Sequence, residues 1–580
     1  MNISRATIAA AVKIGVLGGI VAIFIALVGM IEAFATRDII GDIIDMGRTL
    51  VLVSFFLTGY FATTQGHARP SRGEAILRAG IAGLTSALFL VFLALVLNSF
   101  SALRGMFVNA TPALLNLLLF EQDMATGIVV LLVLGTVVGA LPGLLGFLRP
   151  SLRQALISAM TWVISIGLLQ ELLVVTFRNF EALNPLTTFL FASSGLSSSG
   201  AIAIFVLIFA IEFGRAERGR QIRAGFQRLP ATQRRAITWS GYLAALAILL
   251  LLPQLLGLFF SEVLVNVGLF VLLGLGLNIV VGFAGLLDLG YVAFYAVGAY
   301  TVGILTSTST EIAFAGGFPF WIGLPIAIVM ALFAGVALGI PVLKVRGDYL
   351  AIVTLGFGEI IRLLALSDFL KPWFAGSRGL ELIPKPFIGS FEFAGPQELY
   401  YIILAGCIVV AFVSLRVKNS RLGRAWMAMR EDEDVAQAMG IQLVATKLLA
   451  FGMGASFAGI GGAIFASKLA IIYPHSFNVL YSINVLALII IGGMGSIPGV
   501  IVGALALAGL PELLREFADF RLMIYGAVLV LMMLVRPEGL LPEKRRALEL
   551  EEFKEEEKEA QPELISEPGK VQTVLKTPGQ

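Results

Sequence analysis

Residues 469–511 read LAIIYPHSFNVLYSINVLALIIIGGMGSIPGVIVGALALAGLP and contain no Asp, Glu, Lys or Arg. This run decides the fold. A membrane helix needs roughly 20 apolar residues, because the hydrocarbon is about 30 Å thick and each residue rises about 1.5 Å. The run is therefore too long for one straight crossing. Gly492, Gly493, Gly495, Pro498 and Gly499 sit in its middle. It reads as a short helix, a break and a second helix.

Similar uncharged stretches recur along the chain. Residues 14–31, 49–68, 79–103, 124–148, 154–170 and 182–211 precede an Arg-rich segment, and 236–261, 263–287, 289–310 and 312–343 follow it. Shorter stretches cover 349–358, 399–415, 448–467 and 522–535. The chain is 58% hydrophobic and 14% charged, where soluble domains carry about 25% charged residues. The bilayer is the solvent that tolerates such a surface. The expected fold is all-α: a polytopic helical membrane protein of about sixteen segments, broken helices included.

Orientation follows from Lys and Arg in short loops. The densest cluster, Arg215, Arg218, Arg220, Arg223, Arg228, Arg234 and Arg235, is expected in the cytoplasm. Alternate loops, at Arg149 with Arg153, at Arg69 with Arg72 and Arg78, at Lys344 with Arg346 and from Lys418 to Lys447, are basic too. The loop from Lys371 to Lys385 is the main exception. Parity puts six spans before Arg215 and ten after it, with both termini inside, if 469–511 crosses twice. No cleaved signal peptide is expected, since Lys13 opens the first apolar run and Glu32 closes it. The tail 543–580 is rich in Glu and Lys without apolar periodicity, so disorder is expected there.

The reading divides the chain into a six-span region 1–214, an Arg-rich cytoplasmic loop 215–235, a core 236–542 with a cytoplasmic loop 419–447, and the tail 543–580. Only the core carries motifs. Single glycines are explained by close helix packing. Two clusters go further: Gly274, Gly276, Gly282, Gly285 and Gly290 around Asn278 and Asp288, and Gly492, Gly493, Gly495 and Ser496 with Pro498 and Gly499. Paired Gly/Pro interruptions in hydrophobic segments point to a transporter site, where unwound backbone offers carbonyls and N–H groups to a zwitterion. Asn278, Gly282, Gly285, Asp288, Gly492, Gly493, Gly495 and Ser496 are the candidate substrate-pathway residues.

Other polar residues near spans have bland explanations beside functional ones. Glu359 and Arg362 lie three apart and can pair. Lys468 can snorkel from a helix end. Asp288 can cap a helix starting near Leu289. No catalytic or metal site is expected: His67 and His475 are far apart, Cys407 is the only cysteine, and no nucleophile elbow occurs. No phosphate loop is present, so ATP, if used, binds another polypeptide. No nucleic-acid partner is expected.

The loop 419–447 contains Arg430-Glu431-Asp432-Glu433-Asp434-Val435-Ala436-Gln437-Ala438-Met439-Gly440. Acidic residues precede small and apolar ones and a Gly follows, which suits a short helix with a Gly stop. Val435 and Met439 share a face that could enter a groove on a partner. The alternative is a solvated loop.

This loop resembles the Glu-Ala-Ala…Gly coupling motif of importer permeases of the ATP-binding-cassette class. The resemblance extends over about residues 263–542. It includes Gly274-Leu275-Gly276-Leu277-Asn278-Ile279-Val280-Val281-Gly282, the runs from Gly290 to Tyr300 and from Arg346 to Ile360, Ile491-Gly492-Gly493-Met494-Gly495-Ser496, and Arg536-Pro537-Glu538-Gly539-Leu540-Leu541-Pro542. Together these look like the M-type permease of branched-chain amino acid importers. Two departures stand out. The outer loop reads Phe374-Ala375-Gly376-Ser377-Arg378-Gly379-Leu380 instead of a Thr-Gly-Gly…Gly stretch, and residues 1–235 have no counterpart in the family's core.

The resemblance implies an inner-membrane permease subunit, not an enzyme. An external binding protein delivers leucine, isoleucine or valine, and a second, homologous permease subunit completes the pathway in the lipid. Two cytoplasmic ATPases, carrying ATP and Mg, dock on the coupling segment 431–440. Glu431, Asp432, Glu433, Val435, Ala436, Met439 and Gly440 are its candidate coupling residues, and this chain binds no cofactor itself. The rival readings are a urea or short-amide importer permease, an ion-coupled secondary transporter, and a membrane scaffold without transport.

Overall fold

In the computed structural model, residues 5–513 are described except 42, 65–71, 101–106, 108, 179–182, 229, 310–315, 343–344 and 346, together with 520, 523, 526–527, 530 and 539–542. The tail 543–580 and residues 536–538 lie outside the described residues, as do His67, Lys344 and Arg346. The chain forms two units, Met1–Ala245 and Leu246–Gln580. Among the described residues twelve helices are long and apolar enough to cross a bilayer, and two shorter apolar helices accompany them.

The first unit holds six long helices: α1 (Arg5–Val28), α2 (Met46–Thr64), α3 (Arg72–Ser99), α4 (Met124–Leu145), α5 (Pro150–Leu168) and α6 (Ser198–Arg228). Lipid gives no hydrophobic drive between such helices, so small residues at the crossings decide the contacts. A Cβ on Gly83 of α3 would stand 2.2 Å from the carbonyl oxygen of Gly135 in α4. The antiparallel pair β1 (Asp38–Ile40) and β2 (Ile44–Asp45) precedes α2, and the Gly41 amide donates to the Leu196 carbonyl at 2.8 Å. The Arg-rich segment 215–235, expected as a loop, is largely helical: α6 runs to Arg228 and the next helix opens at Ala231. Arg, Ala and Gln are good helix formers, and in water nothing about their charge interrupts a helix.

Helix α7 (Ala231–Leu277) begins in the first unit and continues into the second, where it is interrupted at Gly257, whose φ of 78° and ψ of −171° are not helical. The sequence suggested a boundary at Glu262 instead. That residue lies within the helix, and its carboxylate pairs with Lys468 at 2.6 Å. Lys468 also donates to Asn266, and its side chain is 10% exposed, so it is held by partners and does not snorkel. The shorter apolar helix α8 (Val292–Thr306) follows, and then the long helices α9 (Phe320–Val342), α10 (Asp348–Leu366) and α11 (Pro396–Lys418). A small hairpin, β3 (Phe387–Ile388) with β4 (Phe391–Glu392), lies between α10 and α11. In α10, Glu359 and Arg362 pair with each other, the Nε donating at 3.0 and 3.1 Å.

Two short helices, α12 (Arg421–Glu431) and α13 (Glu433–Ala438), lead into α14 (Leu443–Leu469), the centre of the unit. Glycines bring α14 against α8 and α9. A Cβ on Gly298 would meet the Gly459 carbonyl oxygen at 2.4 Å, and one on Gly335 the Phe451 carbonyl oxygen at 2.6 Å. The Tyr291 hydroxyl donates to the Gly454 carbonyl at 2.7 Å. Residues 469–511 break as their glycines suggest, into α15 (Val479–Gly492) and α16 (Ile497–Ala504). The departing sequence at residues 374–380 is pinned by a reciprocal backbone pair between Leu380 and Ile472, both bonds 2.9 Å.

Candidate functional site: a braced short helix and two helix breaks

Ser420 caps α12 by accepting from the Gly423 amide at 3.3 Å. Trp426 is fully buried, and its Nε1 donates to the Thr446 carbonyl at 2.8 Å, which fixes α12 against the first turn of α14. Asp432 then leaves helical geometry and caps α13, its Oδ1 accepting from the amides of Asp434 at 2.8 Å and Val435 at 2.9 Å. An acidic N-cap suits both the free N–H groups and the helix dipole. Glu433 accepts from Lys447 of α14 at 2.8 Å, and the lysine side chain is only 4% exposed. Gly440, at φ 88°, turns the chain away from the end of α13.

These anchors settle which side of α13 faces outward. Ala436 is 3% exposed and looks inward, whereas Val435 is 59% and Met439 80% exposed. Of the residues expected to couple to a partner, Val435, Met439 and Glu431 are presented to solvent, Asp432 shapes the cap, Glu433 is tied to α14 and Ala436 is packed beneath.

The two glycine clusters come together beside the end of α12. Residues Asn278–Phe283 continue α7 as a π-helical turn, and the chain leaves it through the Leu286 amide, which donates to the Val280 carbonyl at 2.9 Å. Wide turns of this kind recur at functional sites in helices. The buried Asn278 accepts from the Gly495 amide at 2.8 Å. A Cβ on Gly282 would stand 2.1 Å from the Asn278 Oδ1 and 2.7 Å from the Gly495 amide nitrogen, so only glycine allows the approach. Gly492 ends α15, and its carbonyl accepts from the Leu541 amide at 3.0 Å; Gly493 follows at φ 113°. Ser496 caps α16 by accepting from the Gly499 amide at 3.1 Å. Asp288 stands apart from this contact: it accepts from the Gly290 amide at 2.9 Å and closes the turn into α8, beside Thr354, whose hydroxyl accepts from the Leu289 amide at 3.0 Å.

Two cations that sequence reasoning did not select complete the site. Arg430 donates through Nη1 to the Gly282 carbonyl at 2.7 Å. Lys418 donates to the Gly495 carbonyl at 3.0 Å and stands 5.5 Å from the centre of the Phe283 ring. In the sequence both look like ordinary basic residues of a cytoplasmic loop.

A set of long apolar helices, broken twice where Asn278 meets Gly495 and carrying an anchored helix with an exposed apolar edge, marks a polytopic helical membrane protein. The model of the family described as "Branched-chain amino acid transport system / permease component" matches residues 259–535. The chain is 42% identical over 304 residues to the high-affinity branched-chain amino acid transport system permease protein LivM of Escherichia coli K12, covering 48% of this chain and 69% of that one. It is 25% identical over 291 residues to LivH of the same organism and to BraD of Pseudomonas aeruginosa, in each case covering 47% of this chain and 91% of the relative. No solved structure matches. The chain belongs to the family of branched-chain amino acid transport system permease components.

Proposed function

We propose that this chain is the membrane-spanning permease subunit of an ATP-driven importer that carries branched-chain amino acids into the cytoplasm through the inner membrane. Its relatives are named for that cargo, and the chain has no phosphate loop of its own. Hydrolysis then falls to separate ATPase subunits holding ATP and Mg. An external binding protein delivers the amino acid, and a second permease subunit completes the pathway. The loop 419–447 and both termini face the cytoplasm.

The observation that carries this reading is the exposed pair Val435 and Met439 on a helix braced from behind by Ala436, Trp426 and the Glu433–Lys447 pair. An amphipathic helix fits a partner's groove through such one-sided apolar anchors. Rigid bracing lets the trunk move with the partner, because packed interfaces switch between discrete states.

The test is co-purification of the ATPases with wild-type and Met439→Glu chains, together with uptake of labelled leucine. A charge buried in an apolar groove should abolish docking and uptake while the chain remains in the membrane. Wild-type uptake by the variant, or a wild-type complex devoid of ATPase, refutes the assignment. Competition by unlabelled isoleucine and valine, with none by urea, identifies the cargo.

A further inference from the structure

The coupling segment is joined to the helix breaks by two side chains. Arg430 is the penultimate residue of α12. Its guanidinium caps a carbonyl at the end of the π-helical turn, where helix geometry leaves acceptors without intrahelical donors. A cation at a helix C-terminus also meets the negative end of the dipole. Lys418, at the last residue of α11, holds the carbonyl of Gly495, while Asn278 holds that residue's amide. Both backbone polar groups of Gly495 are thus engaged, one by the first break and one by the end of α11.

The fit is specific at Gly285. Its φ is 73°, and a Cβ there would stand 2.5 Å from the Cγ and 3.2 Å from the Cα of Arg430. The backbone of α12 therefore lies directly against the chain as it leaves the broken helix. Glu431, exposed beside it, pairs with Arg430 at 3.2 Å.

We propose that Arg430 is the positioning residue that transmits movement of the docked coupling segment to the break at Asn278–Phe283, and through the Asn278–Gly495 bond to the break at Gly493–Ser496. The inference rests on the reading of α13 as an ATPase-docking helix. A charge-assisted hydrogen bond between the two elements resists shear, and the Gly285 contact resists compression. Displacement of α12 then changes the turn itself, not merely the loop.

The experiment uses the full importer complex in membranes and measures leucine taken up per ATP hydrolysed. Arg430→Gln and Gly285→Ala attack the same contact from its two sides. In each we expect ATPase co-purification as in wild type, with uptake per ATP reduced about tenfold, the scale of a coupling interaction. Arg430→Lys, which keeps a donor of shorter reach, should recover part of the loss. A side chain that only stabilised the fold would lower the amount of complex and leave the ratio in the surviving complex unchanged. An unchanged ratio in either assembled variant overturns the proposal. So does failure of both variants to assemble, which makes the contact part of the fold. Absence of ATPase from the wild-type complex refutes instead the docking reading beneath it.

Discussion

Trp426 and Met439 show how differently two large apolar side chains of one short loop are used. Trp426 is fully buried and hydrogen-bonded to α14, while Met439 stands almost entirely in solvent. Truncating a buried aromatic residue costs about 3–5 kcal/mol, through lost burial and the cavity left behind. Trp426→Ala is therefore expected to lower the thermal unfolding temperature of the purified chain markedly. Met439→Ala should leave it within about 0.5 kcal/mol, the range for surface changes. Equal losses in the two variants would contradict the orientation of α13. The acidic run and its Gly stop were legible from residue order alone. The side of the helix was not, because Ala436 and Ala438 are both small and only packing on the trunk separates them.

Helix α13 as an element hangs on the pair between Glu433 and the buried Lys447. Removing one partner of a buried pair strands the other charge, at about 3–5 kcal/mol. Glu433→Ala should detach α13 from α14 and expose the loop to added protease. Replacing both partners by leucine should restore much of the protection. Cleavage of the single variant at the wild-type rate would show the pair to be dispensable. Ala436→Arg acts at the same scale: with Ala436 packed beneath α13, an arginine unseats the helix and removes docking together with local order. Protease sensitivity equal to that of wild type would count against this. The break in residues 469–511 was visible because Gly and Pro interrupt apolar periodicity locally. The interruption at Gly257 was not, since Glu262 drew the boundary and its partner Lys468 is distant in sequence.

At the scale of the whole molecule, what matters is sidedness and the division of labour between the two units. α14 connects two different ends of its unit: its first turn receives Trp426 and Glu433, and its last turn holds Glu262 through Lys468. The native thiol of Cys407 is half-buried against the Gly268 carbonyl, so an introduced cysteine can be read over a low background. Met439→Cys should react with a membrane-impermeant maleimide in inverted vesicles and stay silent in intact cells. The opposite pattern would place the docking helix outside. The family match lies within 259–535, inside the second unit. A chain beginning at residue 246 is therefore expected to retain ATPase co-purification, and its loss would assign the first unit a part in assembly.

Taken alone, the sequence determined a helical membrane protein, the helix breaks by their glycines, and the family through the combination of its motifs, because each is written in local order and composition. Only the tertiary structure decided that Asn278 meets Gly495, that Arg430 and Lys418 hold the two breaks, and that Val435 rather than Ala436 faces outward. These contacts join residues remote in sequence across helices brought together by small side chains. Such pairing depends on the phase and depth of packing, which no local pattern encodes.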